Sequence, residues 1–166
     1  MVDKPTLFYD ATRLAKGYLM RRKSLSGAAC PIARTLDVIG DWWSLLIVRD
    51  CLKGMRRFSE LQKNLDVSKN ILTRRLRALV AQDILKLAPA ADGSAYQEYT
   101  LTEKGRSLFP ILVALSQWGR ANLAGIDPNP MTLVDREYRQ PVRPIEIRAA
   151  DGRLLGPGET VMTRLG

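Results

Sequence analysis

Ser68-Lys69-Asn70-Ile71-Leu72-Thr73-Arg74-Arg75-Leu76-Arg77-Ala78-Leu79-Val80-Ala81-Gln82 is the stretch on which the fold turns. Leu72, Leu76, Leu79 and Val80 recur at the spacing of one helical stripe. Asn70, Arg74 and Arg77 fall on the opposite side, with Thr73 alongside. Ser68 stands where a side-chain oxygen caps the free N–H groups of a first turn. The pattern predicts a helix from 69 to about 82. Just upstream, Phe58 to Leu65 reads as a shorter helix and Asp66-Val67 as a tight turn. A short helix, a turn, and an amphipathic helix with an Arg/Asn outer face form the helix-turn-helix arrangement.

The flanks extend the pattern. Downstream, Leu85 to Leu87 and Tyr96 to Leu101 alternate like strands, and Asp92-Gly93 between them is a hairpin signal. Two strands directly after the outer helix make a wing. Thr102 caps a final helix whose Leu108, Ile111, Leu112, Leu115, Trp118 and Leu123 form a broad apolar stripe, with Pro110 expected to kink it. The stripe is wide for a small domain, and a dimer seam would use the excess. Upstream, Trp42 to Leu52 is nearly all apolar and reads as a central, buried helix ended by Gly54. Residues 31–39 make another helix, with Pro31 in its first turn and Gly40 as its breaker. An N-terminal helix is expected over 6–23, followed by a small, polar linker. After Asp127 prolines and glycines accumulate, and Ile145 and Ile147 alternate with Glu146 and Arg148. That composition predicts a small β appendage.

The expected architecture is therefore mainly α with a small β-wing, a winged helix-turn-helix. Residues 1–29 would be an N-terminal helix and linker, 30–126 the winged helix domain, and 127–166 a β-rich C-terminal extension.

Charge points to the partner. The 166 residues carry 26 Lys+Arg against 17 Asp+Glu, a net +9. The excess is densest between 53 and 80, where Lys53, Arg56, Arg57, Lys63, Lys69, Arg74, Arg75 and Arg77 face only Glu60 and Asp66. Such a stripe on a helix-turn-helix fits duplex DNA. Arginine can bind guanine O6 and N7 with two hydrogen bonds, and asparagine adenine N6 and N7. Lys69, Asn70, Thr73 and Arg74, at the head of the outer helix, are the candidate base readers. Arg77, Arg56, Arg57 and the cap Ser68 complete the candidate DNA-binding set, with phosphates as the targets of the arginines. For Arg57 a pairing with Glu60 is the alternative.

Other chemistry finds little footing. With no histidine, Ser-His-Asp and Cys-His machinery and imidazole-based metal sites are excluded. No glycine-rich phosphate loop or metal-ligand spacing occurs, and Asp37, Asp41 and Asp50 share no helical face. No enzyme activity and no cofactor are expected. The first residues lack a signal-peptide core and no apolar run is long enough to span a bilayer, so the expected location is the cytoplasm, away from membranes. Two cysteines, Cys30 and Cys51, imply no disulfide framework. Cys51 reads as inert filler in the apolar helix. Trp42 reads either as the lining of a ligand pocket between subunits or as an exposed packing aromatic.

Several stretches in order resemble HxlR-type regulators, relatives of the MarR group. They are Cys30-Pro31-Ile32-Ala33, Leu36 through Asp50, Gly54-Met55-Arg56-Arg57-Phe58-Ser59-Glu60-Leu61, Asn70-Ile71-Leu72-Thr73-Arg74-Arg75-Leu76, Glu98 through Arg106, and Leu115 to Gly119. The resemblance covers about residues 29 to 122. It implies a dimeric, sequence-specific transcription regulator on a near-palindromic operator, its outer helix in the major groove, its wing near the backbone or minor groove, and its long last helix building the dimer with the N-terminal segment, residues 1–29. It also aligns Cys30 with a cysteine that serves some relatives as a redox or electrophile sensor. Cys30 precedes a helix start, where the dipole favours a thiolate, although a small buried residue is the plainer reading. An unknown small-molecule effector is a further implied partner. The sequence departs from the family at Trp42, which replaces a usual basic residue. It departs again at Ser94-Ala95-Tyr96, where relatives carry a wing arginine, and in a tail without the cysteines of extended relatives. The alternative reading is a winged helix used for protein contact without direct DNA binding.

Overall fold

The computed structural model describes residues 24–123, 125 and 132–163. The expected 6–23 helix lies outside them. The chain divides into two compact units, Met1–Asp37 and Val38–Gly166. In the first, Asp37 fastens the linker: its carboxylate accepts the Leu25 N–H at 2.8 Å and the Ser24 hydroxyl at 3.0 Å.

The described elements follow the predicted order. Helix α1 spans Pro31–Ile39, α2 Trp42–Leu52, α3 Phe58–Leu65 and α4 Lys69–Ala81. Strands β1 (Leu85–Pro89) and β2 (Gln97–Leu101) pair antiparallel, from Leu85 opposite Leu101 to Pro89 opposite Gln97. Helix α2 is central and packs on α3, α4, α6 and β2. It is not buried all round: Ile47 and Val48 are sealed, while Trp42 is 84% exposed. The core joins Ile47, Val48, Leu61, Leu72, Leu76, Leu79, Ile84, Leu85, Leu101 and Leu108, with Trp43 and Phe58 packed partly buried against it. The stripe Leu72, Leu76, Leu79 therefore faces inward as its spacing required, each side chain contributing about 1.5–3 kcal/mol by burial.

Two expectations need correction. The last helix is two helices, α5 (Glu103–Arg106) and α6 (Phe109–Asn122), and Pro110 sits in the first turn of α6 rather than inside a kinked rod. Its missing N–H costs nothing there, because first-turn N–H groups lack intrahelical partners. The C-terminal extension carries only two isolated bridges, Val134 with Pro141 and Arg148 with Leu154, and a short 3-10 turn at Pro157–Glu159. Among its described residues there is no extended ladder, so it is not β-rich. Two side chains of α6 fasten it: Gln117 Nε2 donates to the Arg143 carbonyl at 3.0 Å and Gln117 Oε1 accepts the Ile145 N–H at 2.9 Å, while Arg120 Nη1 donates to the Thr132 hydroxyl at 3.2 Å. Along α6, Phe109, Ile111, Leu115, Trp118 and, just beyond, Leu123 stay between 40% and 60% exposed.

Candidate nucleic-acid interface

The left-handed Asp66 (φ 47°) ends α3 and turns the chain toward α4. The Ser68 hydroxyl then caps α4, accepting the Ile71 N–H at 3.4 Å. Because Leu72, Leu76 and Leu79 are pinned in the core, the opposite side is turned outward. Lys69, Asn70, Thr73, Arg74 and Arg77 line one open hollow of about 460 Å³. Four of them are exposed and Thr73 is half-buried. The five outer-face candidates are thus brought together on one helix, with Ser68 exposed at its head.

The other arginines of the basic window are engaged elsewhere. Arg75 Nε lies 3.2 Å from Asp41 Oδ1, joining α4 to the head of α2. Asp41 is also the cap of α2, accepting the Trp43 and Ser44 N–H groups at 3.0 Å each. Arg57 does not pair through its side chain with Glu60. Its guanidinium binds Asp92 in the wing turn and approaches Glu98 Oε1 at 3.5 Å, while Arg56 Nη1 lies 3.9 Å from Glu98 Oε2. Asp92 holds the Arg57 proton more firmly than usual. Glu60 instead accepts the backbone N–H groups of Arg56 and Arg57, both at 2.9 Å. Those N–H groups, Arg57 first, hold its carboxyl below the ordinary glutamate range.

Sequence reasoning missed three acids. Asp41 was legible as a cap, an aspartate directly before an apolar run. Asp50 gave no such signal, yet it is fully buried and accepts Arg49 Nε at 2.8 Å and Asn64 Nδ2 at 2.7 Å. Glu98 looked like an alternating strand residue but is 6% exposed.

Cys30 is exposed, and its carbonyl accepts the Arg34 N–H at the head of α1. Cys51 differs: burial, aided by the Asp50 charge, pushes its thiol up to about 12. Alkylation with iodoacetamide at neutral pH is therefore expected to modify Cys30 at once and Cys51 only after unfolding. Peptide mass mapping with and without denaturant checks this, and equal labelling of both in the folded protein would contradict it. Among the described residues no group of three His, Cys, Asp or Glu is placed to hold a metal, and no helix is long and apolar enough to cross a membrane. A hollow of about 210 Å³ between Cys51, Arg56, Tyr99 and Arg106 lies below the range that encloses a drug-sized ligand.

Known proteins share this arrangement. The chain is 38% identical over 102 residues to the uncharacterized HTH-type transcriptional regulator Rv3095 of Mycobacterium tuberculosis, a match covering 61% of this chain and 65% of that one. The matched part thus spans just under two thirds of that relative's length. The crystal structure of PA1607, described as a candidate transcription factor, superposes with a TM-score of 0.80 at 49% identity, covering 84% of this chain and 98% of that chain. PA1374 of Pseudomonas aeruginosa, described in the same way, superposes with a TM-score of 0.57 at 38% identity, covering 82% and 93%. The model of the HxlR-like helix-turn-helix family matches residues 38–127, which hold the turn-linked helices, the wing and α6 together. A capped outer helix, an antiparallel wing and that match over more than half of the sequence place this chain in the HxlR-like helix-turn-helix family.

Proposed function

We propose that this chain is a transcription regulator that binds a near-palindromic DNA operator as a homodimer in the cytoplasm. The observation that carries the reading is the outer face of α4, where Lys69, Asn70, Thr73, Arg74 and Arg77 share one open surface. Lys69, Asn70, Thr73 and Arg74 read base edges near the head of the helix. Arg77, Ser68 and the half-exposed Arg56 contact phosphates and set position. Residues 30–126 form the DNA-binding unit. Residues 1–29 and the exposed apolar side of α6 build the dimer, and 127–166 extend it. Apolar exposure on the scale of Phe109, Ile111, Leu115 and Trp118 marks an interaction face. Two recognition helices then enter successive major grooves about 34–36 Å apart. A small molecule or oxidation of the exposed Cys30 supplies regulation.

Selection from random duplexes at two salt concentrations, with and without a thiol oxidant, tests the reading. A two-fold symmetric consensus bound by two chains, with affinity falling steeply as salt rises, is the expected outcome. Absence of salt-sensitive duplex binding would reject it in favour of a protein-docking module. Within the consensus, Arg74→Ala is expected to cost about 1–3 kcal/mol at one base pair per half-site and to relax preference there. Unchanged preference in a repeat selection with the variant would remove Arg74 from the readers.

A further inference from the structure

We propose that Arg57, Asp92 and Glu98 form a clasp that fixes the wing against the helix-turn-helix, making Arg57 a positioning residue rather than a DNA contact. The inference rests on the DNA-binding reading for its consequence, but not for its geometry.

A two-stranded ribbon is marginal on its own, so its orientation has to come from tertiary contacts. The base of the ribbon is held by its two covalent ends, the turn from α4 into β1 and Thr102 leading into α5, and by Leu85 and Leu101 in the core. Toward the turn, a further attachment is made at the head of α3. The Tyr99 N–H donates to the Arg56 carbonyl at 2.8 Å. Beside it, one guanidinium spans two parts of the wing, Asp92 in the turn and Glu98 in β2. A planar fork of five donors suits such bridging, where a lysine would hold a single point. Glu98 is the reason the bridge persists. A carboxylate only 6% exposed is costly without partners, and among the described residues Arg57 and Arg56 are the cations within 4 Å of it. Glu60 in turn holds the backbone of both arginines at the first turn of α3. To reach a phosphate, Arg57 would have to leave two carboxylates, one of them buried.

The test uses the full chain carrying Arg57→Met, Glu98→Gln, Asp92→Asn, or the first two together. A clasp predicts that each single change weakens duplex binding by about threefold to tenfold, and that the double variant loses little more than the worse single one. The salt slope of the Arg57→Met variant stays near that of the wild type. A phosphate contact predicts the opposite pattern: Arg57→Met lowers the slope by about 0.9, and Glu98→Gln tightens binding by removing a negative charge. Either of those results, or unchanged affinity in all variants, overturns the proposal. Asp92→Asn, on an exposed turn, keeps the comparison available if Glu98→Gln does not fold. Amide hydrogen exchange needs no DNA and separates this inference from the DNA-binding reading. Exchange over residues 90–96 should accelerate in Arg57→Met and Asp92→Asn while α4 is unchanged. Wild-type exchange there would sink the clasp whatever the duplex result.

Discussion

Gly105→Ala is expected to destabilise the fold by about 3 kcal/mol or more. Helix propensity alone predicts the reverse, since alanine in a helix is favoured over glycine by about 1 kcal/mol. The tertiary contact decides the sign. A Cβ at Gly105 would lie 2.2 Å from the Ile84 carbonyl oxygen and 2.9 Å from Leu101 Cδ2. Neither side can retreat freely. The Ile84 carbonyl accepts the Thr102 N–H at 3.1 Å. The Thr102 hydroxyl donates to the Asp83 carbonyl at 2.7 Å and accepts the Gly105 N–H at 3.0 Å. The new methyl therefore drives α5 off the turn between α4 and β1, which is the root of the wing. Urea unfolding monitored by circular dichroism gives the measurement. A midpoint at or above that of the wild type would show that α5 moves aside without cost.

Asp50→Ala is the second large effect, expected at about 2–4 kcal/mol. The carboxylate sits at zero exposure and links α2 to α3 through Asn64. Removing it leaves a void and strips Asn64 and Arg49 of an acceptor. Arg49 is 39% exposed on its side chain and regains water, which keeps the loss below that of a fully buried pair. Asp50→Asn keeps the shape and one acceptor and should lose less than half as much. Parallel denaturation curves of the two variants check both the size and the order. Equal stability of Asp50→Ala and wild type would mean that the α2–α3 contact holds without the acid. Because α3 is the first helix of the helix-turn-helix, the alanine variant should also weaken duplex binding in proportion to its unfolded fraction.

Much of the outer-helix surface is legible in the sequence alone. The leucines at 72, 76 and 79 report the helical repeat, and a repeat that buries one side necessarily presents Asn70, Arg74 and Arg77 on the other. Ser68, Thr102 and Asp92-Gly93 were legible because caps and hairpin turns depend on residues within a few positions of each other. The place of Pro110 is not legible in the sequence, because periodicity does not say where one helix stops and the next begins; the end of α5 at Arg106 decides it. The single bridges of the tail were equally invisible, since they depend on what packs nearby.

By itself the amino-acid order determined the succession of elements from α1 to the wing, the inward leucine stripe and the outward Arg/Asn face, because backbone geometry and side-chain period are local properties. Only the tertiary structure decided which cations of the basic window remain available. Arg57 and Asp92 are thirty-five positions apart, and no local rule pairs them. Folding brings buried Glu98 and the wing turn within reach of one guanidinium and Asp41 within reach of another. The energy of a charge depends on neighbours a few ångströms away in space, however distant they are along the chain.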